Sequence, residues 1–292
     1  MAARATEHTE PNSLVWATDF DVLPSDHIVE RRGGYLAVRS PSNPEHYWGN
    51  LLLFDDPPAA GDAARWERLF EAEFAGEPRV RHRTFAWDRV DGVLGCAREE
   101  FVSRGYDVEE TIGLIATANQ IRSHRRENEE VIFRALDPAA GADEDLWEAV
   151  IELQVAARDE GFDEAQYRAF RRTRQEDLRC LFRAGRGSWY AALSPDGGEV
   201  VASCGIVVTG ARGRFQAVDT AAAYRRRGVC SRLLVDAARH SAQQYGTARF
   251  VIVADAHYHA LSLYESLGFQ PTEHVHGTSL RPRLPDRYTV WP

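Results

Sequence analysis

Residues 224–234, Tyr-Arg-Arg-Arg-Gly-Val-Cys-Ser-Arg-Leu-Leu, constrain the fold of this chain more than any other stretch. They follow a strand-like run at 214–220 and open a helix-like run through Leu233, Leu234, Ala237 and Ala238. A strand, a tight turn with glycine and a helix start gather unpaired backbone N–H groups at one point, with the positive end of the helix dipole behind them. Such a point attracts phosphate. Gly228 lets the main chain approach an anion, the small Cys230 and Ser231 keep the mouth open, and Arg225, Arg226 and Arg227 supply charge. The turn holds no lysine, so it is not the P-loop of nucleotide hydrolases. Taken alone, the same pattern also fits a solvated helix cap.

Two segments downstream narrow the choice. Residues 249–254 read as a buried strand, and residues 257–269 as a helix stopped by Gly268, with Phe269 folding back on it. In this order and spacing the segments resemble the acetyl-CoA-binding core of the GNAT N-acetyltransferase superfamily. The family's pyrophosphate loop, Q/R-x-x-G-x-G/A, reads here Arg225-x-x-Gly228-x-Cys230. Its helix ending L-Y-E-x-x-G-F reads Leu263-Tyr264-Glu265-Ser266-Leu267-Gly268-Phe269. Cys230 stands where the family has glycine or alanine, and His257 where it often has asparagine. The resemblance covers residues 131–283.

The resemblance implies an α/β (α+β) protein of GNAT fold, a mixed, mostly antiparallel sheet flanked by helices. It also implies attack of a primary amine on the acetyl-CoA thioester, which needs a neutral amine, a polarised carbonyl and an acid for the leaving thiolate. The cofactor contacts it suggests are Val218, Thr220, Arg225, Arg226, Arg227, Gly228, Val229, Cys230, Ser231 and His257. Backbone N–H groups near Val218 would face the thioester oxygen. Tyr264 stands where the family places its proton donor; on residue type alone it is equally a core aromatic with a wet hydroxyl. The base is expected to be Asp219, since simple strand alternation sends Gln216 to the opposite face and glutamine cannot accept a proton. Asp159 and Glu160, in a break before a second helix, are alternatives, and each of these acids also fits a solvated surface charge.

The chain has 292 residues, 44% hydrophobic and 27% charged, enough for two ordinary domains. A net charge of -9 opposes general binding to nucleic acid or anionic membrane. Cys96, Cys180, Cys204 and Cys230 are scattered, and His257 and His259 would diverge on a helix, so neither a disulfide framework nor a metal is expected. No apolar signal core or membrane-length run is present, which makes the cytoplasm the expected location.

The predicted organisation is a loose start at 1–25, a degenerate GNAT-like domain at 26–120, a charged linker at 121–130 and the acetyltransferase domain at 131–292. The two parts form a tandem in which the first is partial. Aligning Gly105 with Gly268 puts Tyr106 on Phe269 and Phe101 on Tyr264, followed by a strand-like run at 110–116. Arg89-x-x-Gly92-x-Leu94 then mimics the pyrophosphate loop, but too few residues separate Gly92 from Gly105 for a helix and a strand. The reading is an acetyl-CoA-dependent N-acetyltransferase acting on a small-molecule amine or a peptide N-terminus, with no nucleic-acid or membrane partner and with room for a homodimer. A non-catalytic acyl-CoA-binding or regulatory module is the alternative.

Overall fold

The computed structural model describes residues 9–158, 161, 163–257 and 260–281. The first half of the chain supplies α1 (Leu14–Asp21), β1 (Ile28–Arg32), β2 (Tyr35–Arg39), β3 (Leu51–Phe54), α2 (Asp62–Glu73), β4 (Arg83–Trp87), α3 (Ala97–Phe101) and β5 (Asp107–Thr117). The second half supplies β6 (Ile132–Ala135), α4 (Glu144–Ala156), α5 (Glu164–Arg183), β7 (Gly187–Leu193), β8 (Val200–Thr209), β9 (Arg212–Thr220), α6 (Val229–Tyr245), β10 (Arg249–Asp255), α7 (Ala260–Ser266) and β11 (Gln270–Leu280). Eleven strands form one sheet in the order β1-β2-β3-β4-β11-β5-β10-β9-β8-β7-β6.

That order is nearly a palindrome, with β1 to β5 matching β7 to β11. The pairs β2–β3 and β8–β9 are antiparallel, while β3–β4 and β9–β10 are parallel. The two halves have exchanged their last strands: β5 lies between β11 and β10, and β11 between β4 and β5. The stretch 121–130 therefore links two parts of one continuous sheet. The repeat in the first half is more complete than the sequence suggests, because α2 occupies the place of α6. Its counterpart of Gly228 is Gly61, and not Gly92: Gly61 caps α2 at φ 87, ψ -2 and Gly228 caps α6 at φ 77, ψ 4. The matched helix ends agree in detail. Tyr106 N donates to Phe101 O at 3.2 Å, as Phe269 N does to Tyr264 O at 3.1 Å, with the intervening glycine at positive φ in both.

Residues 14–21, expected to be loose, are a buried helix. The Asp88 carboxylate accepts from the backbone N of Asn12 and Ser13, and Glu273 accepts from Leu14 N and Val15 N at 2.8 and 2.9 Å, so two acids neutralise the start of α1. Val15, Trp16 and Phe20 then pack with Leu36, Val38, Leu51 and Leu53. On the other face of the same strands, Trp66, Phe70 and Phe101 from α2 and α3 pack on Phe54, Phe85 and Trp87. In the second half, α6 and α7 cover one face, around Leu233, Leu234 and Phe250, and α4 and α5 cover the other, around Trp147, Leu178 and Trp189. Burial on both faces explains why residues 200–208 are apolar or small without alternation.

Candidate active site

Strands β9 and β10 pair only where Arg212 to Arg214 lie against Arg249 to Val251; beyond that they part. On its other side β9 stays on β8, but the register slips: Gly205 faces Gln216 while Ser203 faces Asp219. Three steps along β9 thus match two along β8, a β-bulge at Ala217 and Val218. Ala217 takes φ 40, a conformation that L-residues adopt at a cost of roughly 1–2 kcal/mol. The bulge also overturns the alternation argument of the sequence. Ser203 and Gly205 share a face of β8, so Gln216 and Asp219 share a face of β9.

The gap between the parting strands opens into a cavity of about 460 Å³. Gln216, Ala217 and Val218 of β9, Val253 to Asp255 at the end of β10, and Ala260 and Tyr264 of α7 form one side. Trp16 and Asp19 of α1, His46 and Trp48, Glu109 and Thr111 of β5, and Phe170, Arg171 and Arg174 of α5 form the other. A second cavity of about 410 Å³ shares His46, Trp48, Glu109, Phe170 and Arg171, and extends along Tyr47, Arg79, Arg81 and Arg281. The two are one bent channel, with Glu109, His46 and Arg171 at the bend.

Charges in this channel are unevenly matched. Arg214 pairs with Asp19 at 2.6 Å, and burial pushes the Asp19 carboxyl up despite that partner. Arg174 is buried, which lowers its guanidinium to about 10; it donates to Val22 O at 2.7 Å and to Gln216 Oε1 at 3.3 Å. Arg171 donates to the Tyr167 hydroxyl at 2.8 Å and sits over the Tyr167 ring at 4.9 Å, with no carboxylate in ion-pair contact among the described residues. Glu109 accepts a hydrogen bond from Ser279 Oγ at 3.1 Å, and burial pushes its carboxyl up.

Tyr264 and Val218 both line the first cavity. Asp219 does not line either cavity; it lies on the α5 face, where burial raises its carboxyl against the opposing influence of Arg171 and Arg225. At the far end of β9, Arg225, Arg226 and Arg227 are exposed, and Arg225 Nε donates to Thr220 O at 3.1 Å. Val229 and Ser231 turn inward, and burial lifts the Cys230 thiol to about 12, so this cysteine is an inert spacer. The first-turn N–H groups of α6 have no intrahelical acceptor. Residues 122–128 pack over this turn: Asn128 donates from N to Gly228 O at 3.3 Å and from Nδ2 to Arg227 O at 3.1 Å. His257 is exposed at the end of β10, with Nε2 3.4 Å from Glu110 Oε2, and touches neither cavity nor turn. Asp159 and Glu160 lie outside the described residues. Sequence reasoning missed Glu109, Arg171, Asp19 and His46; the unusual density of acids in the strand-like run at 107–111 was the available signal for the first.

Among the described residues no helix is long and apolar enough to cross a membrane. No curated protein matches the sequence. Solved structures share the fold across most of the chain. A GCN5-related N-acetyltransferase from Kribbella flavida is 13% identical with a TM-score of 0.62, over 91% of this chain and 93% of that one. A tandem GNAT protein from the clavulanic acid biosynthesis pathway is 12% identical with a TM-score of 0.55, over 95% and 92%. A conserved protein from Staphylococcus epidermidis ATCC 12228, described as functionally unknown, is 11% identical with a TM-score of 0.69, over 88% and 95%. Residues 147–269 match the model of the acetyltransferase (GNAT) family, and the chain as a whole has the fold of the GCN5-related and tandem GNAT structures.

Proposed function

We propose that this chain transfers an acetyl group from acetyl-CoA to the amine of an acceptor that also carries an anionic group. One observation carries the reading: Tyr264, the bulged edge of β9 and the Glu109 carboxylate meet in a single channel at the splayed end of β9, the end from which the chain runs on to the arginine-flanked start of α6. The N–H groups of that helix start, with Arg225 to Arg227, hold the pyrophosphate, and the gap between β9 and β10 admits the thioester arm. The Val218 N–H faces the carbonyl oxygen. Glu109, from inside the channel, takes a proton from the acceptor ammonium directly or through water; the amine attacks, the C–S bond breaks, and the Tyr264 hydroxyl protonates the thiolate. Glu109 replaces Asp219 in this role because it lines the channel and Asp219 does not. Arg171, which has no ion-pair partner among the described residues, meets the acceptor's carboxylate or phosphate.

A non-catalytic acyl-CoA-binding module needs the helix start and no proton donor beside it. Free-thiol release from acetyl-CoA separates the two, measured across neutral amines, amino acids, phosphorylated amines and short peptides. Amine-dependent release, fastest with an anionic amine, supports the proposal. Tight acetyl-CoA binding with no release above buffer for any amine favours the module.

A further inference from the structure

We propose that Glu110, His274 and His276 form a site for one divalent transition-metal ion, zinc by donor type, on the face of the sheet away from the acceptor channel. In β5, Glu109 and Thr111 point into the channel, so Glu110 between them points to the other face. In the antiparallel register of β5 and β11, Glu110 lies directly opposite His276, and His274 is two residues away on the same face. The three ligand atoms lie within 4.8 Å of one another. Ligands around a tetrahedral zinc stand about 3.3 Å apart, so side-chain rotations of about an ångström close the site.

The imidazoles are prepared for a cation. His276 is 2% exposed, and its Nε2 lies 3.0 Å from the Gly92 carbonyl oxygen, which can only accept; Nε2 therefore carries the proton, and the Nδ1 lone pair is free. That Nδ1 is buried without a hydrogen-bond partner. His274 Nε2 makes no hydrogen bond but lies 2.7 Å from Glu110 Oε1, at ion-pair distance, so two of the three groups already face one another. A buried ring nitrogen without a partner, as His276 Nδ1 is, is costly unless something uses its lone pair. The turn bearing Gly92 is fixed to the same strand, since Gly92 N donates to His274 O and His274 N to Val90 O, both at 2.9 Å. His257, 79% exposed and 3.4 Å from the other Glu110 oxygen, can fill a fourth position or leave it to water.

The expectation of a metal-free chain considered the cysteines and the His257/His259 pair, and passed over a His-x-His pair on one strand. Glu110 belongs to the first half and both histidines to the last strand of the second, so the ion would clamp the exchanged strands together. The test uses the full, untagged chain stripped with chelator. Calorimetric titration with zinc should saturate at one equivalent and raise the melting temperature, cobalt(II) should develop the visible bands of a four-coordinate nitrogen–oxygen site, and His276→Gln and Glu110→Gln should each abolish both responses. No saturable zinc binding, a cobalt spectrum identical to that of the free aquo ion, or unchanged binding in folded variants would overturn the assignment. If a variant does not fold, the parent's zinc stoichiometry and cobalt spectrum decide alone.

Discussion

Gly61 and Gly228 form a built-in control. Both cap the helix that follows the third strand of the repeat, β3 in one half and β9 in the other, both at positive φ, and they differ in what surrounds them. A Cβ at Gly61 meets nothing within 4 Å, whereas at Gly228 it lies 1.9 Å from Arg126 O and 2.9 Å from Asn128 N. Alanine in the left-handed region costs roughly 1–2 kcal/mol, which is all that Gly61→Ala should lose. At Gly228 the covering segment must also retreat by about 1.5 Å to reach ordinary contact, giving up the two Asn128 hydrogen bonds at roughly 0.5–1.5 kcal/mol each. Gly228→Ala should therefore melt roughly 3 °C lower than Gly61→Ala. Acetyl-CoA titration gives the functional arm: parental affinity for Gly61→Ala, and a loss of tenfold or more for Gly228→Ala, because residues 126–128 would be displaced beside the pyrophosphate turn. Equal melting shifts, or parental affinity in folded Gly228→Ala, would refute the reasoning.

Tyr264→Phe should lower kcat about a hundredfold and leave acetyl-CoA affinity unchanged, since only the thiolate's proton donor is lost; full activity would return Tyr264 to the core. Glu109→Gln should cost about a hundredfold or more in kcat and Asp219→Asn little, and the reverse ranking in steady-state kinetics would restore Asp219 as the base. Titration of the intact chain should saturate at one CoA; two equivalents would mean that the first half also binds. His82 is buried and donates from Nε2 to Asn50 O at 3.1 Å, and burial lowers its pKa from 6.5 to about 4. With the folded value below the unfolded one, its contribution is complete above pH 6.5 and fades as pH falls toward 4, by on the order of 3 kcal/mol. Denaturant melts of the parent and His82→Gln across that window check it: the parent curve should slope more steeply, and parallel curves would rule the histidine out.

The elements expected to carry chemistry by local pattern were readable from the sequence. Gly228 and Gly268 mark backbone positions that few other residues tolerate, and Tyr264 sits at a set distance from the second of them. Glu109 was not readable as part of the site, because its place depends on the strand exchange, and nothing within β5 says whether it pairs with β4 or β10. The bulge was equally hidden: Gln216-Ala217-Val218-Asp219 contains no glycine at the position with φ 40, so simple alternation put Gln216 and Asp219 on opposite faces. The helix at 14–21 depends on Asp88 and Glu273, partners at least 75 residues away, which no local reading can supply.

The same comparison gives a physical reason for the proposed cofactor turn to lie in one half only. At the start of α2 the chain supplies its own anion: the Glu100 carboxylate accepts from Gly61 N at 2.9 Å and Ala63 N at 3.4 Å, and Asp62 Oδ2 accepts from Ala59 N at 2.9 Å. Asp55 and Asp56 stand before this turn, where the second half has three arginines before its own, so an incoming phosphate would meet like charge. The strand gap is closed as well. β3 and β4 stay paired through Phe54 and Trp87, Asp88 N continues the ladder to Phe54 O at 2.8 Å, and Trp66 stacks on Phe54 with ring centroids 3.7 Å apart. The first half still contributes to the channel, because β5 supplies Glu109 and α1 supplies Trp16 and Asp19. A fragment beginning near residue 131 would lack β5 and leave β10 and β11 with unpaired edges, so the acceptor channel belongs to the whole chain and to neither half.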